Sequence, residues 1–141
     1  MSGRAGMATG VRAAGARLVG RVGGHHADGL TEREAGGVPM FLPHIDREAG
    51  HEGRLRIAAH EVILSREAPQ GLSALNILPG RVAAMREGAG PGMLISLDTA
   101  AGTLLARVTR RSAEALALVP GVRCHAVIKT VGIAPLDVGG V

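Results

Sequence analysis

The 141-residue sequence has almost no aromatic side chains: Phe41 is its one phenylalanine, and tryptophan and tyrosine are absent. Its formal charge of +4, carried by arginines with a single lysine, would favour an anionic partner. Proteins that bind single-stranded nucleic acid, however, combine a basic groove with aromatic side chains on which bases stack. Because those stacking surfaces are missing, we predict that nucleic acid is not a partner.

Lysine and cysteine each occur once, which excludes two further kinds of chemistry. Lys129 follows Ile128, whereas a phosphate-binding loop needs lysine directly after glycine, so this motif of ATP hydrolysis is excluded. Cys124 has no partner for an internal disulfide and lies in an apolar run. We therefore predict a buried, unreactive thiol in a reducing cytoplasm.

Long hydrophobic runs are also missing. No apolar run approaches the roughly 20 residues with which a helix crosses a bilayer. The N-terminal segment contains arginines but lacks the continuous apolar core of a signal peptide. These features predict a soluble, cytoplasmic protein.

The sequence lacks the common signatures of catalysis and metal binding. It contains neither a Gly-x-Ser-x-Gly elbow nor a His-Glu-x-x-His motif. Its histidines have no cysteine ligands beside them and no recognisable spacing, so they do not predict a metal site. They are His25, His26, His44, His51, His60 and His125. We predict no enzyme activity, no metal and no bound nucleotide.

Glycine (22 residues) and proline (7 residues) divide the chain into short segments, which favours strands and turns over long helices. Residues 1–10 are small and patternless and are predicted to be disordered. Residues 11–66 predict a first, irregular β-unit, and the charged segment 66–71 predicts a boundary. The strand-like segments of the first unit are 16–22, 30–34, 38–42 and 54–65.

The second half has a cleaner pattern, which predicts strand, strand, strand, short helix, strand over residues 71–134 and a tail at 135–141. This order is typical of a small β-barrel with the helix over one end. The two halves show similar size but no convincing sequence repeat. The predicted strands are 77–86, 93–99, 103–110 and 123–131, and residues 112–118 predict the helix.

Two short polar segments flank the second unit. The opening segment, residues 73–76, reads Ser-Ala-Leu-Asn before an apolar strand, and the closing segment, Lys129-Thr130, lies near the end of the last strand. One interpretation is a one-turn cap and an edge-strand lysine that opposes aggregation. The alternative is an anion site, because a tight turn directs backbone N–H groups to one point and the side chains add donors and charge. Spacing alone leaves both open.

Three stretches carry a family resemblance: LSALNILPGRV (72–82), LLARVTRRSAEALAL (104–118) and PGVRCHAVIKTVGI (120–133). In this order they resemble the first strand, the third strand with its short helix, and the last strand of the molybdate-binding Mop, or TOBE, domain. The resemblance covers about residues 71–134. Upstream, residues 54–80 resemble the C-terminal region of the ATP-binding subunit of molybdate ABC transporters, whose nucleotide-binding domain this chain lacks.

The resemblance implies an all-β fold, an OB-like barrel that holds a molybdate or tungstate oxyanion where two copies meet. It implies a homodimer or higher oligomer and a regulatory or accessory role beside a molybdate ABC transporter ATPase or permease, at the inner face of the cell membrane. Several soluble molbindins of this family have arginine where this chain has Leu75. The implied ligating residues are Ser73, Ala74, Leu75, Asn76, Lys129 and Thr130. Two alternatives remain: a ligand-free TOBE-type dimerisation domain, and a free-standing molbindin-like molybdate store.

Overall fold

The computed structural model describes residues 15–135, which form two five-stranded antiparallel sheets and one short helix. The predicted disorder at 1–10 and the tail after Pro135 lie outside these residues. The helix is α1 (Arg110–Ala115). The strands are β1 (Gly15–His25), β2 (Leu30–Ala35), β3 (Val38–Pro43), β4 (Glu52–Ala58), β5 (Ile63–Ser65), β6 (Asn76–Glu87), β7 (Gly92–Thr99), β8 (Gly102–Thr109), β9 (Arg123–Ile128) and β10 (Ile133–Pro135).

The two sheets have the same internal plan. The first has the order β10-β4-β1-β2-β3, and the second has the order β5-β9-β6-β7-β8. The registers coincide as well, because Leu18 pairs with Leu55 as Leu78 pairs with Ala126, and both long strands shift register just after a valine, at Val22 and Val82. The described chain is therefore a structural duplication, and its first unit is more regular than the sequence predicts.

One short stretch of similar sequence accompanies this duplication, although the two halves show no convincing repeat over their length. Residues 18–22 read LVGRV and residues 78–82 read LPGRV, at equivalent places in β1 and β6. The leucine and the last valine of each motif are buried, because alternate residues of a strand face the core. Outside this motif the two units have diverged, which is why the repeat is hard to detect.

The units exchange their last short strands. β5 follows the first unit in the chain but pairs with β9 of the second sheet, where Ile63 lies opposite Val127. β10 follows the second unit but pairs with β4 of the first sheet, where Ile133 lies opposite Ile57. A short 3-10 segment precedes each exchanged strand: Ala59–Glu61 before β5 and Thr130–Gly132 before β10. Neither half of the chain therefore contains all the strands of its own sheet.

One continuous hydrophobic cluster lies between and within the units. It includes Leu55 and Ile57 from the first sheet and Leu78, Leu97 and Ile128 from the second, all nearly inaccessible to water. Aliphatic side chains fill this core, as expected for a chain with one aromatic residue. Burying such side chains removes about 25 cal/mol of unfavourable free energy per Å² of apolar surface, so the shared cluster binds the units together.

The predicted all-β fold with one short helix is confirmed, with differences at the ends of elements. Thr109 caps α1 by accepting a hydrogen bond from the Ser112 N–H at 3.0 Å, so the helix starts two residues earlier than predicted. The predicted strand 123–131 instead ends at Ile128, where Lys129 turns the chain into the 3-10 segment. Within residues 15–135, no helix is long and apolar enough to cross a membrane.

Candidate functional site

The opening and closing segments lie at the same end of the second sheet. Asn76, the first residue of β6, is paired with Ile128, the last residue of β9. In an antiparallel pair, the start of one strand lies beside the end of the other. Residues 73–75 and Lys129-Thr130 therefore adjoin the same end of the β6–β9 pair.

The opening segment is a bent, largely exposed stretch. The chain bends at Gly71 and Ser73, and residues 74 and 75 have no regular structure. Gly71 has a φ of +69°, a left-handed conformation that glycine adopts without strain, and this sets the direction of approach to β6. Ser73 is exposed, as is about half of Leu75, so the hydroxyl and the backbone near it are accessible to a ligand.

The closing segment combines an exposed cation with a buried hydroxyl. The Lys129 side chain is exposed and makes no cap hydrogen bond, although its carbonyl accepts the Gly132 N–H at 2.8 Å. Thr130 Oγ1 is shielded from solvent and has no hydrogen-bond partner. An unsatisfied buried polar group costs about 1–3 kcal/mol, so a donor or acceptor supplied by a ligand would be favourable here.

Asn76 is engaged in a different way from its neighbours. Its side chain is 1% exposed, and Oδ1 accepts the Phe41 N–H at 2.7 Å while Nδ2 donates to the Phe41 carbonyl at 3.0 Å. This amide therefore ties β6 to β3, the edge strand of the first sheet. Both Asn76 and the 3-10 segment Thr130–Gly132 pack against β3, so the two segments lie where the units meet. We call this place, at the start of β6 and the end of β9, the second junction. The equivalent place at the start of β1 and the end of β4 is the first junction.

The equivalent junction of the first unit lacks all these polar groups. The register places Ala16 where the second unit has Asn76, and Ala58-Ala59 follow Ile57 where Lys129-Thr130 follow Ile128. The duplication thus provides an internal comparison. The first unit forms its sheet with alanine at the positions equivalent to Asn76, Lys129 and Thr130.

Exposed apolar residues lie in or beside the opening and closing segments in the chain. Leu72, just before the opening segment, is 50% exposed, and Leu75, within it, is 51% exposed. Val131, beside the closing segment, is 75% exposed. We call these three residues the apolar rim. Large exposed apolar side chains grouped around a polar site are typical of surfaces that contact another molecule.

His25 and Cys124 occupy structural positions in this molecule. His25 Nδ1 contacts Thr31 Oγ1 at 2.9 Å and its Nε2 contacts the Arg47 carbonyl at 2.6 Å, which fixes the loop after β3. Within residues 15–135, no three His, Cys, Asp or Glu side chains converge as a metal site would require. Cys124 is buried as predicted, and burial raises the pKa of its thiol, while the nearby Arg66 charge opposes the rise.

Comparison with known proteins finds a family that the second unit resembles. Residues 72–134 match the family model of the TOBE domain. The second unit is therefore similar to TOBE domains. The match has nearly the boundaries that the resemblance predicts, and it contains both the opening and the closing segment of the candidate site.

Relatives extend the similarity beyond the TOBE domain into the first unit. The molybdenum import ATP-binding protein ModC of Rhizobium meliloti (strain 1021) is 39% identical over 125 residues, which cover 88% of this chain and 35% of ModC. ModC of Thiobacillus denitrificans (strain ATCC 25259 / T1) is 46% identical over 105 residues, covering 74% of this chain and 29% of that protein. The chain thus spans about a third of the length of these relatives.

A solved structure shares the whole two-unit fold. ModG, a cytoplasmic molybdate-binding protein solved with molybdate bound, aligns with a TM-score of 0.75 over 85% of this chain and 94% of ModG. The two sequences are 24% identical, so the comparison shows the fold. The OB-like architecture with its duplicated unit is therefore shared with a molbindin.

The contribution of the first unit to the junction is not among the predictions from the sequence. Phe41 and the prolines two residues to either side, Pro39 and Pro43, lie on β3, at least 30 residues before the opening segment. The available signal was the pair of LVGRV and LPGRV motifs, which reveals the duplication and, with it, the absence of polar residues from the first junction.

Proposed function

We propose that this chain is a non-catalytic molybdate-binding module, with the oxyanion held at the second junction by the opening and closing segments. The observation that carries the proposal is the pairing of Asn76 with Ile128, which brings Ser73, the backbone of residues 74 and 75, Lys129 and Thr130 to one end of the sheet. The TOBE match over these residues and the names of ModC and ModG support molybdate as the ligand. Tungstate, with the same charge and geometry, is the alternative ligand.

The chemistry of the segments suits a tetrahedral dianion. Molybdate has four acceptor oxygens and two negative charges, and its burial requires several donors and compensating positive charge. Ser73 and Thr130 supply hydroxyls, the backbone of residues 74 and 75 supplies N–H groups, and Lys129 supplies the charge. Asn76 belongs to the site through its position, since both side-chain polar atoms already bond Phe41.

One lysine neutralises half of a dianion, so we propose that a second copy of the chain completes the site. The apolar rim provides the contact surface, because Leu72, Leu75 and Val131 lie in or beside the segments and are largely exposed. A twofold arrangement would bring two Lys129 side chains to the anion and bury the rim. Leu75 would then contribute packing at the contact, where several soluble molbindins have the cation of an arginine.

The test is calorimetric titration with molybdate, with sulfate as the control for an oxyanion of equal charge. We expect Lys129→Ala to weaken molybdate binding at least tenfold, because loss of a charge-assisted hydrogen bond costs roughly 1.5–3 kcal/mol. Arg86→Ala is the matched control, since it removes an exposed positive charge at the far end of β6. Unchanged affinity in Lys129→Ala would reject the site, and no binding by folded wild-type protein would favour the ligand-free dimerisation domain.

The comparisons support two biological settings for the same site. Similarity to ModC supports a regulatory domain associated with a molybdate transporter at the inner face of the membrane. The alignment with nearly all of ModG supports a cytoplasmic molybdate store. Co-purification with a transporter ATPase or permease distinguishes them, because a store would bind molybdate without either partner.

A further inference from the structure

The edge strand β3 is held by one side chain from the other unit. Asn76 pairs both the N–H and the carbonyl of Phe41, in the way that a neighbouring strand would. These bonds point away from β2, because Phe41 lies opposite Glu32 in the β2–β3 ladder and its backbone groups are directed outward. The Asn76 amide therefore takes the place of a sixth strand at this point of the sheet. We call its two hydrogen bonds to Phe41 the amide clamp.

Prolines remove the other donors from the same edge. The β2–β3 register is regular, so residues 39 and 43 direct their backbone nitrogens to the same side as Phe41. Pro39 and Pro43 have no N–H to donate. Phe41 is thus the donor available between them, and Asn76 accepts it. This edge of the sheet is closed to strand addition, and its one polar position is connected to the second unit.

The closing segment contacts the same strand. The 3-10 segment Thr130–Gly132 packs against β3, and Asn76 is paired with Ile128, which directly precedes Lys129. β3 therefore borders both parts of the proposed anion site. A shift of β3 relative to β6 would therefore change the packing beside both segments.

The first unit shows that the barrel does not require such a clamp. At its junction, β8 is the equivalent edge strand, and the 3-10 segment Ala59–Glu61 packs on it just as Thr130–Gly132 packs on β3. The residue equivalent to Asn76 is Ala16, and Asn76 is the one asparagine of the sequence. The amide clamp occurs in the junction that also contains Lys129 and Thr130.

We propose that Asn76 is a positioning residue, which couples anion binding to the seating of β3 without contacting the anion itself. The inference rests on the proposed function. Coupling between two sites is reciprocal, so the anion must stabilise the clamp as much as the clamp favours the anion. If loss of the clamp reduces the binding-competent population tenfold, the apparent Kd rises by the same factor of about ten.

The experiment measures amide hydrogen exchange by NMR together with molybdate affinity. Phe41 reports on the clamp, and Leu105, at the equivalent position of β8, is the internal control. In wild-type protein, we expect saturating molybdate to slow exchange at Phe41 well beyond any change at Leu105. In Asn76→Ala, we expect Phe41 to exchange roughly tenfold faster without ligand, and the Kd for molybdate to rise by a similar factor.

The outcomes separate this inference from the proposed function. Wild-type binding that leaves Phe41 exchange unchanged would reject the coupling, and this measurement does not depend on the variant being folded. If Asn76→Ala bound molybdate as tightly as the wild-type protein while its Phe41 amide exchanged faster, the coupling would also be rejected. The clamp would then be purely structural. Absence of molybdate binding by the wild-type protein would instead reject the proposed function, and the coupling with it.

Discussion

The exchanged strands predict a large difference between two identical substitutions. Ile133 of β10 is 3% exposed and lies opposite Ile57 in the first sheet, whereas Ile63 of β5 is 62% exposed. Both isoleucines lie in three-residue strands that join the opposite unit. Ile133→Ala and Ile63→Ala therefore remove the same atoms from equivalent kinds of strand, one inside the core and one at the surface.

The expected magnitudes follow from burial. Isoleucine to alanine removes three carbon atoms, worth about 0.8 kcal/mol each when buried, or about 2.4 kcal/mol. The cavity left behind adds to this, and buried Ile→Ala substitutions cost about 2–5 kcal/mol. We therefore expect Ile133→Ala to lower the free energy of unfolding by about 3–4 kcal/mol. Ile63→Ala should cost less than about 1 kcal/mol, because most of that side chain is already in water.

Urea unfolding followed by far-UV circular dichroism is the appropriate assay, because the chain has no tryptophan or tyrosine for intrinsic fluorescence. The midpoint should fall sharply for Ile133→Ala with an unchanged m-value, which indicates a change in stability alone. We also expect a single transition, because each sheet contains a strand from the other unit. Equal shifts for the two variants, or separate melting of the first sheet in Ile133→Ala, would refute the reasoning.

Two further predictions concern a glycine and the cysteine. Gly36→Ala should destabilise the protein far more than Gly37→Ala in the same urea assay. Both glycines have positive φ, which costs an L-residue about 1–2 kcal/mol. A Cβ at Gly36 would in addition lie 1.9 Å from the Ala100 carbonyl oxygen, whereas a Cβ at Gly37 meets nothing within 4 Å. Equal losses would contradict this close approach. Burial raises the pKa of the Cys124 thiol above its ordinary 9.0, against a smaller opposing effect of Arg66, so the folded state retains the proton longer than the unfolded state. The thiol should leave the free energy of unfolding unchanged below pH 9 and lower it as the pH rises through the raised pKa. The urea midpoints of wild type and Cys124→Ala should therefore diverge only in this alkaline range. Parallel curves of midpoint against pH would contradict the prediction.

Local patterns sufficed to predict the elements of the second unit, because strands and turns leave periodic signals within a few residues. The strand 103–110, for example, alternates buried Leu104 and Ala106 with more exposed neighbours. The exchange of β5 and β10 left no such signal. A three-residue strand has the same local pattern whichever sheet it joins, and its partner is chosen by packing of the complete core.

The candidate site shows the same limit. Ser73, Lys129 and Thr130 could be singled out from the sequence because their residue types are unusual in their setting, and the pairing of Asn76 with Ile128 puts their segments at the same end of the β6–β9 pair. The hydrogen bonds from Asn76 to Phe41 could not be predicted, because they join residues 35 positions apart in different units. Their roles as ligands remain a prediction for calorimetry.

The strand exchange also affects the order in which the protein becomes complete during synthesis. β4 leaves the ribosome long before β10. Ile57 of β4 has no strand partner on this side of the first sheet until Ile133, 76 residues later in the chain, has been synthesised. Until the second unit has been translated, the nascent first unit presents an unpaired strand edge and an uncovered apolar surface, both of which favour misassociation. The last few residues of the second unit thus complete the folding of the first.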